Sequence, residues 1–96
     1  MSCLHTIKKT PDSELLPLCV SVLKPGDGIL FIEDGIYHCA MTNLDTKFDT
    51  DIRVFTLQED AAARGMLKRN LANIEFLNYR GFVELCCKYD KIVSWF

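Results

Sequence analysis

Apolar and polar positions fall in short blocks along the chain, strand-like runs alternating with stripes of helical spacing. Cys3-Leu4-His5-Thr6-Ile7 reads as a first strand. Thr10-Pro11-Asp12-Ser13 punctuates it and can open a helix. On that helix Leu15, Leu18, Cys19 and Val22 form an apolar stripe. Pro17 is tolerated in a first turn but not in a helix interior, so the helix is expected to begin later than Asp12. Lys24-Pro25-Gly26-Asp27-Gly28 ends it. Ile29-Leu30-Phe31-Ile32 is a continuous apolar run, the signature of a strand covered on both faces. Glu33-Asp34-Gly35 breaks it, and a short helix over Ile36 to Met41 follows. Its apolar residues lie on two sides, Ile36, Cys39 and Ala40 on one and Tyr37, Met41 and Leu44 on the other. Thr42 to Asp51 is polar and loop-like.

The second half repeats the alternation. Ile52-Arg53-Val54-Phe55-Thr56-Leu57 is rich in β-formers. Gln58-Glu59-Asp60 opens a helix with acids at its positive end, and Ala61-Ala62-Ala63 propagates it. Gly65 caps or bends that helix, and Asp60 and Arg64 stand four apart, a spacing at which they can pair. Ile74-Glu75-Phe76-Leu77 is a fourth strand, and Phe82, Leu85, Cys86 and Tyr89 are the stripe of a last helix. Lys91 to Phe96 adds a short strand or a packed tail. Repeated β-then-α units imply right-handed crossovers and a mostly parallel sheet. The expected fold is α/β, a three-layer α/β/α sandwich on four or five strands, with residues 1–96 as a single domain.

Composition narrows the function classes. The chain has 96 residues, 49% hydrophobic and 25% charged, and a net charge of −2. This is globular composition in a chain long enough for one modest core. A free-standing nucleic-acid binder usually carries a basic face. The local cluster Arg64, Lys68 and Arg69 reads instead as a solvated helix end, so any service to a nucleic acid is expected through partners. The longest apolar run is far short of the ~20 residues of a membrane span, and no export signal is legible, so a cytoplasmic protein with no membrane contact is expected. Five cysteines, an odd number without C-x-x-C spacing, point to reduced thiols, and the adjacent pairs His38-Cys39 and Cys86-Cys87 argue against a metal site. No cofactor is expected.

In open α/β sheets, sites lie beyond the carboxyl ends of the strands. This chain places Lys8, Lys9 and Thr10 there, with Glu33 and Asp34, then Gln58, Glu59 and Asp60, and finally Asn78, Tyr79 and Arg80. The set holds neither cysteine nor histidine. The acids read as solvated helix-capping groups, since acid–base work would need one of them raised by burial. Pro25-Gly26-Asp27-Gly28 precedes a strand, so it is a turn rather than a phosphate cradle. Cys19 is the thiol to weigh as a persulfide carrier, although it lies on an apolar stripe with no basic residue within one turn. Cys3 and Cys86 read as packing residues, and Cys87 lies one step off its stripe. His38 and Cys39, neighbours on a helix, do not face each other. His5 is expected in the strand with its ring hydrogen-bonded.

Several segments, taken in order, resemble the DsrH/TusB family. They are Leu4-His5-Thr6, Phe31-Ile32-Glu33-Asp34-Gly35-Ile36-Tyr37, Glu59-Asp60 through Ala63-Arg64-Gly65, Tyr79-x-x-Phe82-Val83-x-Leu85, and Trp95. The resemblance implies a DsrE-like fold and a sulfur-relay role. It implies assembly with homologous TusC/DsrF-like and TusD/DsrE-like subunits in a heterohexamer with two copies of each. Such a complex takes persulfide sulfur from a small carrier protein and passes it on toward 2-thiolation of the wobble uridine of tRNA; DsrH-like members serve a related complex in sulfur oxidation. The sulfur-bearing cysteine of the TusD- or DsrE-like subunit follows the third strand, where this chain has Leu57-Gln58-Glu59-Asp60. The expectation is a supporting subunit, with Tyr37, Met41, Leu44, Trp95 and Phe96 toward the partners. The alternative is a carrier through Cys19, which matches a cysteine that some DsrH-like members have in the first helix; a homo-oligomeric binding module without sulfur chemistry is a third reading.

Overall fold

The computed structural model describes residues 2–40, 51–65 and 74–95. Among these residues five strands make one sheet: β1 (Cys3–Ile7), β2 (Gly28–Phe31), β3 (Arg53–Leu57), β4 (Ile74–Leu77) and β5 (Lys91–Trp95), in the order β4-β3-β2-β1-β5. Every pairing is parallel. The register sets Leu4 beside Gly28, Ile29 beside Val54 and Ile7 beside Trp95. The last strand thus crosses back to lie outside the first. Among the described residues three helices join the strands, α1 (Leu15–Val22), α2 (Gln58–Ala63) and α3 (Tyr79–Lys88), with a 3-10 turn over Pro11–Ser13 and a 3-10 helix over Glu33–Ala40.

The two faces carry two cores. On one face Ile7, Ile29, Phe31 and Val54 pack with Leu16 and Cys19 of α1, Ile36 and Cys39 of the 3-10 helix, and Ala61 of α2. On the other, Leu4, Leu30 and Phe55 pack under α3 through Leu85, with Phe82, Cys86 and Tyr89 at its margins. This is the expected α/β/α sandwich. Each residue of β2 is buried, which explains its unbroken apolar run: a central parallel strand has no solvent face. β5 is an edge strand and is largely exposed.

Local departures from the sequence reading have physical causes. The helix does begin after Asp12, because Glu14 takes a left-handed φ of 61° and separates the 3-10 turn from α1. Pro17 then falls in the first turn, where its missing N–H would have had no partner. The buried side of α1 is Leu16 and Cys19, whereas Leu18 and Val22 are exposed. Apolar residues surround this helix, so spacing alone does not single out its inner face. The segment after β2 is a 3-10 helix that starts at Glu33, three residues before the helix expected there. Its i, i+3 stacking places Ile36 and Cys39 in one column toward the core. Gly35 lies so close to the end of β1 that a β-carbon would strike the Ile7 carbonyl oxygen. Gly28 is less tightly committed, since a β-carbon there would meet the Tyr89 hydroxyl, the far end of a side chain and not backbone.

Candidate functional site

The carboxyl rim of the sheet gathers the polar residues the sequence placed there, and they bind one another. The Asp60 side chain accepts the Glu33 backbone N–H at 2.7 Å, tying the start of α2 to the loop after β2. Arg64 forms its ion pair with Asp34, at 3.1 Å, rather than with the Asp60 carboxylate four residues back. To Asp60 it donates only to the backbone carbonyl, at 3.2 Å. The Asp60 carboxylate accepts the Glu33 amide instead. Glu59 accepts the Tyr79 backbone N–H at 3.2 Å, and the Asn78 side chain caps α3 by accepting the Gly81 N–H at 2.8 Å. Gly65, at φ 69°, closes α2. The rim is a set of loop ties carrying carboxylates, and its β3 corner holds no thiol.

The cysteines take no part in these ties, and the one near the β3 corner, Cys39, lies inside the core beneath it. Cys19 is fully buried on the inner side of α1. That helix returns from the carboxyl rim toward the amino rim, where the Cys19 sulfur meets the fields of Cys3 and Asp27. Burial first, then those two neighbours, push its thiol up from 9.0 to about 12. Cys39 is 2% exposed, with its sulfur 3.3 Å from the Thr56 hydroxyl. Burial raises its thiol and the Thr56 contact partly offsets this. Cys3 and Cys86 are half-buried and raised as well, chiefly by desolvation. Cys87 is exposed on α3. A thiol acts as a nucleophile through its thiolate, so these environments hold Cys3, Cys19, Cys39 and Cys86 in the unreactive form at neutral pH. Among the described residues no group of three His, Cys, Asp or Glu side chains stands close enough to hold a metal ion.

A second cluster occupies the amino side. His5 is buried and its ring is hydrogen-bonded, as expected. Its Nε2 lies 3.3 Å from Asp27 Oδ2, and its Nδ1 accepts the Trp95 indole N–H at 3.0 Å. Asp27 is itself buried and also accepts backbone N–H groups of Cys3, at 3.0 Å, and Lys24, at 3.1 Å. By sequence alone Asp27 is only a turn residue. The available signal was a carboxylate held between two glycines immediately before a wholly apolar strand. His38 is buried too, stacked on Phe31 with ring centroids 5.2 Å apart and its Nε2 3.1 Å from the Lys9 carbonyl. Of the expected interface residues, Tyr37 is 41% exposed, while Trp95 is half-buried against the α1-side core. Met41, Leu44 and Phe96 lie outside the described residues.

With this geometry in place, likeness to known proteins settles the family. Residues 9–92 match the family described as DsrH like protein. The chain belongs to the DsrH/TusB family. Protein TusB of Buchnera aphidicola is 31% identical, over 96% of this chain and 99% of that protein. Protein TusB of Salmonella enteritidis is 32% identical over the same shares. Two solved structures share the fold. The ychN protein of E. coli superposes with a TM-score of 0.76 at 11% identity, covering 99% of this chain and 100% of that one. Protein Tm0979 of Thermotoga maritima gives 0.69 at 22% identity, covering 90% and 92%. In this DsrH/TusB member four of the residues that carry the sequence resemblance occupy structural positions: Leu4 in a core, His5 on Asp27, Gly35 against β1, and Trp95 on His5. Among the described residues no helix is long and apolar enough to cross a membrane.

Proposed function

We propose that this chain is a supporting subunit of a sulfur-relay complex whose sulfur ends in 2-thiolation of the tRNA wobble uridine. Its partners are TusC/DsrF-like and TusD/DsrE-like homologues in the cytoplasm. Sulfur carrier proteins and tRNA are reached only through that assembly. The observation that carries this reading is the corner after β3. The family resemblance puts the relay thiol of the TusD-like subunit there, and this chain has Gln58-Glu59-Asp60, with two of the three side chains bonded to backbone amides. The burial and raised thiols of Cys19 and Cys39 support it further. Relay requires an accessible, ionisable sulfur on a docking surface. A homologue without one at the corner after β3 still contributes interface area and shapes its partner's site. Specific interfaces bury about 1,200–2,000 Å² in total, and Tyr37, exposed on the 3-10 helix, and Trp95, half-buried at the end of β5, are the described residues offered for part of it.

Co-expression with the two sister subunits tests the proposal. Joint elution as one complex, together with loss of thiolated tRNA when this chain is omitted, is the expected result. A chain that elutes alone while tRNA is thiolated normally would overturn it.

A further inference from the structure

Three groups from three segments form one chain of hydrogen bonds across β1, buried at His5 and Asp27 and half-buried at Trp95. Trp95, at the end of β5, donates its indole N–H to His5 Nδ1 at 3.0 Å. His5 Nε2 faces Asp27 Oδ2 at 3.3 Å, and Asp27 is fixed by the Cys3 and Lys24 amides. An indole nitrogen only donates, and a carboxylate only accepts. The network therefore assigns the imidazole one arrangement, with its proton on Nε2 and a lone pair on Nδ1. A second proton, taken from water, has only Nδ1 to occupy. There it would meet the indole N–H head on, and the Trp95 bond could not survive.

We propose that Trp95, His5 and Asp27 form a proton-operated clasp, in which protonation of His5 at Nδ1 releases the Trp95 indole and loosens the carboxyl end of β5. The released end is the edge of the sheet, next to β1 alone, and Trp95 packs on the α1-side core. The strand ladder and the Thr6–Ser94 hydroxyl bond at 3.1 Å remain to hold the middle of β5. The charged and titratable groups around the clasp come from every neighbouring segment. They are Asp27 from the turn before β2, Cys19 from α1, Cys3 on β1 itself, Lys91 at the start of β5, and Tyr89, whose phenol feels Asp27. Asp27 is the one that bonds the ring, at Nε2, and the indole holds the opposite nitrogen, Nδ1.

Trp95 is the single tryptophan of the chain, so its fluorescence reports the clasp directly. The full chain is titrated from about pH 8 to pH 5, the span in which histidines change charge. The expected result is a red shift of emission with single-proton steepness while the far-UV circular dichroism stays constant. His5→Asn keeps a side-chain acceptor without a titrating ring, and its emission should stay flat. Unchanged emission in the parent chain, the same transition in His5→Asn, or a simultaneous loss of secondary structure would each overturn the proposal. Should His5→Asn not fold, imidazole nitrogen NMR of the parent chain decides. The Nε2–H tautomer at high pH, with Nδ1 protonation shifting the Trp95 indole signal, supports the clasp. An Nδ1–H tautomer contradicts it.

Discussion

At the scale of single residues, the sharpest consequence concerns Asp27. It is buried, and it serves two amides and one imidazole. Asp27→Ala leaves all three donors unpaired and should cost about 3–5 kcal/mol in urea denaturation. Cys19 gives a signed pH dependence. Its thiol ionises near 9.0 when unfolded and at about 12 in the fold. The raised native value contributes stability that is fully present below the unfolded value. Between those limits the unfolded chain loses the proton first, so stability falls as pH rises, by at most about 1.4 kcal/mol per pH unit. Denaturation midpoints measured across that range should decline, and Cys19→Ala should decline less steeply. The sequence made Cys19 legible as a buried thiol through its place on an apolar helix. It did not reveal Asp27, because local pattern carries no information about which strand an acid will stand beside.

At the scale of elements, glycine positions separate close packing from backbone freedom. Gly35→Ala drives a methyl into the Ile7 carbonyl and should destabilise by about 3 kcal/mol or more. Gly26 has φ 91° with open space around it, so Gly26→Ala should cost only about 1 kcal/mol through backbone strain. Thermal melts of the two variants side by side check the contrast. Asn78→Ala removes the cap of α3 and should cost about 1 kcal/mol. Elements with a strong period were readable: β4 falls at Ile74–Leu77 as expected, and the α3 stripe of Phe82, Leu85, Cys86 and Tyr89 faces one core. α1 was readable in extent but not in orientation, because Leu15, Leu16, Leu18, Val20 and Val22 make it apolar all round. Near the start of the 3-10 helix Gly35 fits against the end of β1, a tertiary contact that no local propensity encodes.

At the scale of the whole molecule, the layer order followed from alternation alone, whereas the position of β5 outside β1 required long-range pairing. The candidate site was legible chiefly as a missing thiol at the rim after β3. What the sequence left open is how the rim acids are used, and they are used to fasten loops. If Tyr37 faces a partner, Tyr37→Glu should abolish joint elution with the sister subunits while leaving the melting temperature nearly unchanged, since the side chain is exposed. Trp95→Ala should lower that temperature, because its indole also anchors His5.

The most direct measurement is intact mass spectrometry of the reconstituted complex after loading with a persulfide donor. The account predicts added sulfur on the TusD-like subunit and an unaltered mass for this chain. A gain of one sulfur atom on this chain, at Cys19 or at any other thiol, would contradict it.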